Sequence, residues 1–304
     1  MAVRPVRCVT ASLACAGALL ATSACGTDDP GPDPGAGELL FASNRIFGQF
    51  DVFVMDLADR AQRRVTDTLA FDFWPSWSPD GARIVFQSDR GFNQDTVFDQ
   101  DIYLMNADGT GAVQLTSHDS TDAQPAWSPD STRIAFSSNR TGNYEIYVVN
   151  TDGSSLVQLT IAPGADGQPA WSPDGARIAF ASDRDGDADI YTMNAADGTG
   201  VLQLTANTGG DLAPAWSPDG TRIAFHSDST GNFAIYLMNA DGSGKRRLTA
   251  GGVPPQELAD WSPDGTRIAY DSDGDLFVLW LDGRGATRVA GDQTNAFFRP
   301  RWRP

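Results

Sequence analysis

The chain has few of the side chains that carry out covalent chemistry. Its 304 residues include two histidines, His118 and His226, and three cysteines. Cys8, Cys15 and Cys25 all fall in or at the end of an apolar N-terminal run, so nothing after residue 25 can form a disulfide or act as a thiol nucleophile. No Gly-x-Ser-x-Gly elbow, His-Glu-x-x-His pair or phosphate-binding glycine loop occurs. No catalytic residue, cofactor or resident metal is therefore expected, and the chain reads as a non-enzyme. Positive charge is scarce as well: 22 Lys and Arg stand against 39 Asp and Glu, a net −17. Removing Arg4 and Arg7 with the N-terminal run leaves 20 against 39, or −19. That balance argues against nucleic acid and against direct adhesion to anionic lipid, and it favours a basic partner surface. No stretch shows sustained helical periodicity with caps, which leaves an all-β fold.

What the chain does have is one unit repeated. Trp-Ser-Pro-Asp recurs at Trp77, Trp127, Trp171, Trp216 and Trp261, each copy leading into Arg-Ile-(Ala/Val)-(Phe/Tyr), at intervals of 50, 44, 45 and 45 residues. A further 41 residues on stands Trp302. A period in the mid-forties predicts propeller blades of four strands. In the third complete copy the strands are expected at 168–171, 177–181, 189–193 and 202–205, with tight turns at Asp174-Gly175 and Asp197-Gly198. Residues 39–66 carry the last three strands of a unit without its Trp strand, and residues 298–303 carry a Trp strand with nothing after it. Joining them gives a six-bladed β-propeller whose ring is closed by the Trp302 strand completing the N-terminal blade, which removes exposed sheet edges.

These motifs resemble the β-propeller repeat of TolB and its relatives, the WD40-like PD repeat, over about residues 38–304. The resemblance implies a protein-interaction module of the bacterial cell envelope. TolB itself carries an α/β domain ahead of its propeller, where only a short Pro/Gly/Asp segment stands here. The N-terminus points to export: Arg4 and Arg7 precede the apolar stretch 9–20 and then Ala21-Thr22-Ser23-Ala24-Cys25, the pattern of a signal peptide over 1–24. Thr-Ser-Ala-Cys resembles a bacterial lipobox, which implies acylation of Cys25 and a lipid anchor; cleavage near Ala24 with release of a soluble protein is the alternative. Residues 25–37, rich in Pro, Gly and Asp, read as a disordered tether. A membrane-anchored, monomeric lipoprotein facing the periplasm or the cell exterior is expected.

The strand order implied by the resemblance puts the Ser-Pro-Asp-Gly and Asn-Ala-Asp-Gly turns on one face, and the variable Ser-Asp-Arg loops and Thr-to-Trp connections on the other. Loops on a rigid scaffold are where binding usually resides. Five residues before the repeat Trp stand Asp72, Asp122, Asp166 and Asp211, with Gln256 and Phe297 at the equivalent places. The four carboxylates are expected around one mouth of the channel, receiving a partner's basic side chain or each capping its own turn. Trp74, with Phe71 and Phe73, departs from the repeat and is a second candidate contact, as is the insertion 91–100 with Phe92 and Phe98. The run Asp183–Asp189 alternates carboxylates but lacks the twelve-residue calcium-loop pattern. Arg83, Arg133, Arg177, Arg222 and Arg267 hold one position and are expected to form salt bridges to acids such as Asp101, Glu145 or Asp189. Two functions follow: a non-catalytic module docking an envelope protein or peptide at an acidic mouth, or a propeller that binds or processes glycans.

Overall fold

The computed structural model describes residues 35–46, 48–91, 100–250, 256–291 and 297–304, so the expected signal peptide, Cys25 and residues 92–99 lie outside the described residues. Within them there is no helix, and the strands form six antiparallel four-stranded sheets. Blade I contains β1 (Glu38–Ile46), β2 (Gln49–Asp56) and β3 (Gln62–Arg64). Blade II is β4 (Asp72–Trp77), β5 (Arg83–Ser88), β6 (Asp101–Asn106) and β7 (Val113–Gln114). Blade III is β8 (Asp122–Trp127), β9 (Arg133–Ser138), β10 (Glu145–Asn150) and β11 (Val157–Gln158). Blade IV is β12 (Asp166–Trp171), β13 (Arg177–Ser182), β14 (Asp189–Asn194) and β15 (Leu202–Gln203). Blade V is β16 (Asp211–Trp216), β17 (Arg222–Ser227), β18 (Ala234–Asn239) and β19 (Arg246–Arg247). Blade VI is β20 (Gln256–Trp261), β21 (Arg267–Ser272), β22 (Asp275–Trp280) and β23 (Gly285–Ala290). The last strand, β24 (Phe297–Trp302), pairs with β1 and completes blade I in the order β24-β1-β2-β3, with Leu39 opposite Trp302. The split blade expected from the sequence is thus the closing blade of the ring.

Each second and third strand is covered on both faces by neighbouring blades, which is why Ile-Ala-Phe and Ile-Tyr-x-Met read as near-continuous apolar runs. The core lies in the seams. Leu40, Val52 and Val54 of blade I pack with Trp77, Ile84 and Phe86 of blade II. Leu39, Phe41 and Trp302 close the other side of blade I against Ala269, Leu276 and Val278 of blade VI. Close approach between blades demands glycine at Gly198, whose φ is 71° and where a Cβ would stand 2.0 Å from the Leu159 carbonyl oxygen of blade III.

Two repeated polar positions depart from expectation. Of the arginines at the start of the second strands, Arg83, Arg133, Arg222 and Arg267 stack on the Trp of the following blade, Arg177 donates to Thr192, and Arg267 also meets Asp264 of its own blade at 3.5 Å. Arg83 lies 4.8 Å from the ring centre of Trp127 and Arg133 4.7 Å from that of Trp171. The acids expected to pair with them are occupied by the threonines of Gln-Leu-Thr: Thr160 Oγ1 donates to Glu145 at 2.7 Å and Thr205 Oγ1 to Asp189 at 2.8 Å. Those hydroxyls also accept the strand amides of Ile146 and Ile190. The outer strands consequently stop at Gln158 and Gln203, before the threonine.

Candidate functional site

Asp72, Asp122, Asp166 and Asp211 open β4, β8, β12 and β16 and lie opposite Ser88, Ser138, Ser182 and Ser227. The structure therefore brings all four to the variable face, but beneath its surface, with none exposed to solvent. Three are met by an arginine from their own blade's Ser-Asp-Arg or Ser-Asn-Arg loop: Arg90 with Asp72 at 2.8 Å, Arg140 with Asp122 at 2.7 Å, and Arg184 with Asp166 at 2.8 Å. Each guanidinium also donates to the loop's serine, as Arg140 Nε does to Ser138 Oγ at 2.9 Å, and lies over a tyrosine of the third strand. Amide capping falls to other residues, with Asp89 accepting from Phe71 N at 2.8 Å and Asp183 from Ala165 N at 2.6 Å. Blade V has Ser229 where the arginine would be, so Asp211 is held by Asn207 Nδ2 at 2.6 Å and burial pushes its carboxyl up.

The channel itself is lined two residues further along. Trp74, Gln124, Gln168, Ala213 and Arg299 all have φ between 49° and 60°, the left-handed region, and all precede a proline. Each described copy coincides with a register shift in the inner strand, as between Phe73 and Ser76. A bulge with a left-handed residue re-aims that side chain, and backbone strain of this kind costs on the order of 1–3 kcal/mol per site. Here the re-aimed side chains meet at the axis. Gln124 Oε1 accepts from Gln168 N, and Gln168 Oε1 accepts from Ala213 N, both at 2.8 Å, so glutamines stitch blade III to IV and IV to V. Arg299 stacks on Trp74, and Arg301 reaches Asp260 at 3.3 Å. The space left among them is about 20 Å³, room for roughly one water, so the channel is nearly filled at this level.

Above this plug the variable face is concave and partly apolar. A depression of about 340 Å³ runs over blades III to V, with Tyr144, Gln124, Gln168 and Leu212 among its walls. At the seam of blades I and II an aromatic row continues from Trp74. Phe50 is 4.4 Å from Phe73 and 5.7 Å from Phe298 between ring centres, Phe71 stacks on Phe73, and Leu69 is 85% exposed. Phe50 and Phe298 were not singled out by the repeat; both flank blade I, the blade assembled from the two ends.

Two further groups bear on possible chemistry, His226 and the acidic run of blade IV. His226 is buried, and burial followed by the Arg299 charge pushes its imidazole down to about 3, so it is neutral at ordinary pH. Asp185, Asp187 and Asp189 offer carboxylate oxygens within 4.8 Å of one another at the outer edge of blade IV. Two of them already serve the blade, Gln203 Nε2 donating to Asp185 at 2.6 Å and to Asp189 at 3.0 Å.

A family model described as the TolB beta propeller domain matches residues 92–166 and 157–282. Among solved structures, TolB from Acinetobacter baumannii is similar at 23% identity and a TM-score of 0.75, over 88% of this chain and 67% of that one. A putative TolB from Agrobacterium tumefaciens is similar at 23% identity and 0.69, over 89% and 100%. An oligogalacturonate lyase in complex with manganese is similar at 16% identity and 0.59, over 85% and 75%. At these identities the likenesses concern the fold.

Proposed function

This chain belongs to the TolB β-propeller family, and we propose on that premise that it is a non-catalytic interaction module of the bacterial cell envelope. It is exported by the leader 1–24, anchored through an acylated Cys25, and docks a protein or peptide at the channel mouth on its variable face. The observation that carries this reading is the plugged mouth, where strained backbone aims Trp74 and its neighbours at the axis beside a half-buried aromatic row that ends on the exposed Phe71. Strain concentrated at one ring of positions marks those positions as candidates for function, beside the part Gln124 and Gln168 play in stitching neighbouring blades. Trp74 supplies the central contact. Asp72, Asp122, Asp166 and Asp211 set the shape of the mouth from beneath, three of them as ion pairs with arginine, and the net charge of −17 over the whole chain favours a partner with basic groups around an apolar anchor.

The test is capture from detergent-solubilised envelope by the mature protein beside Trp74→Ala and Phe71→Ala variants with native circular dichroism. A protein retained by the native form and lost by both variants supports the reading; equal retention removes the site from this mouth. Labelling with a fatty-acid probe, abolished by Cys25→Ala, checks the anchor separately. A second reading, glycan binding, draws on Trp74 as a stacking platform and on the fold likeness to an oligogalacturonate lyase. Its charge works against an acidic glycan, since the chain is itself −17. Retention on oligosaccharide columns without capture of any protein would favour this second reading.

A further inference from the structure

The opposite face carries a second site. On the Ser-Pro-Asp-Gly side, five of the six seams between blades share one packing motif: a guanidinium over the repeat Trp of the following blade. Arg83 lies over Trp127, Arg133 over Trp171, Arg222 over Trp261, Arg267 over Trp302 and Arg303 over Trp77, at 4.8, 4.7, 5.0, 4.4 and 5.0 Å from the ring centres. The seam between blades IV and V breaks the motif. Arg177 turns aside and donates from Nη2 to Thr192 Oγ1 at 2.6 Å. The cause is in the sequence, because the other third strands carry Val54, Leu104, Val148, Leu237 or Val278 where blade IV has Thr192. A buried hydroxyl in that place wins the guanidinium from the indole.

Two consequences follow in the structure. Trp216 is half-buried, whereas the five other repeat Trp residues are 4–8% exposed. Beside it opens a cavity of about 660 Å³, walled by Trp216, Leu202 and the prolines Pro173 and Pro218, with Asp174, Asp219 and Asp241 at its rim. Those carboxylates stay ionised: hydrogen bonds from Ser217 and then Thr221 bring Asp219 down to about 2, and like contacts lower Asp174 and Asp241. Against the single charge of Arg177 the site is net negative.

We infer that this seam binds a basic side chain of a partner protein, an arginine in the first instance, whose guanidinium takes the place over Trp216 that Arg177 has left. Indole is the best aromatic face for a cation, and the three rim carboxylates provide the hydrogen-bond acceptors that a planar guanidinium can use. The site is on the far face from the mouth and does not depend on what docks there.

The experiment is a titration of the ¹⁵N-indole-labelled protein, its Trp216 signal assigned with Trp216→Phe, using acetyl-Gly-Arg-Gly-amide and its citrulline counterpart. The Trp216 signal is expected to move with the arginine peptide and to respond about tenfold more weakly to citrulline. Thr192→Val removes the hydroxyl, lets Arg177 stack as its counterparts do, and should weaken arginine binding by about tenfold. If Thr192→Val lowers the melting temperature, Asp219→Asn with Asp241→Asn serves instead and should weaken binding by roughly threefold. An unmoved Trp216 signal, an equal response to citrulline, or full-strength binding in these variants would overturn the inference.

Discussion

Blades III and V have the same register, the same strand lengths and the same buried acid at the head of the inner strand, yet they handle charge in opposite ways. In blade III, Arg140 donates to both oxygens of Asp122 at 2.8 and 2.7 Å and rests over Tyr147. In blade V, Ser229 replaces that arginine and bonds to Ser227 of the same loop. Its acid, Asp211, is held by the neutral side chains of Ser227, Thr205 and Asn207, and burial raises its carboxyl. The same blade also buries His226 where blade III has Ser137, and holds that imidazole at about 3. One backbone thus carries either a neutralised pair or two displaced titrations. Repetition of the fold does not repeat the electrostatics.

The largest expected effect comes from breaking blade III. Arg140→Ala leaves Asp122 buried without its counter-charge and should cost about 3–5 kcal/mol in urea unfolding, whereas Ser229→Ala in blade V should change little. A smaller cost in blade III would mean that water reaches Asp122. Next is the acid sensitivity of blade V. The native His226 resists protonation down to about 3 while the unfolded chain accepts a proton near 6.5, so the stability this site contributes above 6.5 is lost as pH falls through that window. By pH 4 the loss should reach roughly 3 kcal/mol, and His226→Gln should flatten the decline between pH 7 and 4 by that amount. Asp211 has the opposite sign, its raised carboxyl favouring the fold as pH falls, and it is common to both proteins in that comparison. The smallest effect sharpens the contrast by erasing it: Ser229→Arg gives blade V the clamp of blade III and should add about 1 kcal/mol at neutral pH. Nuclear magnetic resonance should then show the Asp211 carboxyl returning toward the ordinary range.

The ring was legible because the repeat states it twice, in five complete units and in the two fragments ending at Thr66 and at Trp302. The clamps were legible in principle. Arg90, Arg140 and Arg184 occur in the three blades whose acid they hold, blade V pairs Asp211 with Ser229, and blade VI pairs Gln256 with Gly274. The more regular series beginning at Arg83 drew the pairing instead, and its preference for the next blade's indole depends on a seam that no local pattern records. The plug of Trp74, Gln124, Gln168 and Arg299 was hidden for a different reason. Residues before proline ordinarily favour extended backbone, so a left-handed bulge ahead of Pro75, Pro125, Pro169 and Pro300 is an outcome of packing around the axis.

The pairing of β24 with β1 also sets an order of events during synthesis. Glu38 and Arg303 meet across 265 residues, and the contacts of Trp302 with Leu39 and Phe41 can form only once the last strand has left the ribosome. Until then β1 has an open edge, and the seam between blades VI and I lacks its indole. Contacts of such sequence separation are slow to form. The ring therefore stays unsealed until β24 itself has been made. The strand that finishes the propeller also acts as a timer that delays its completion.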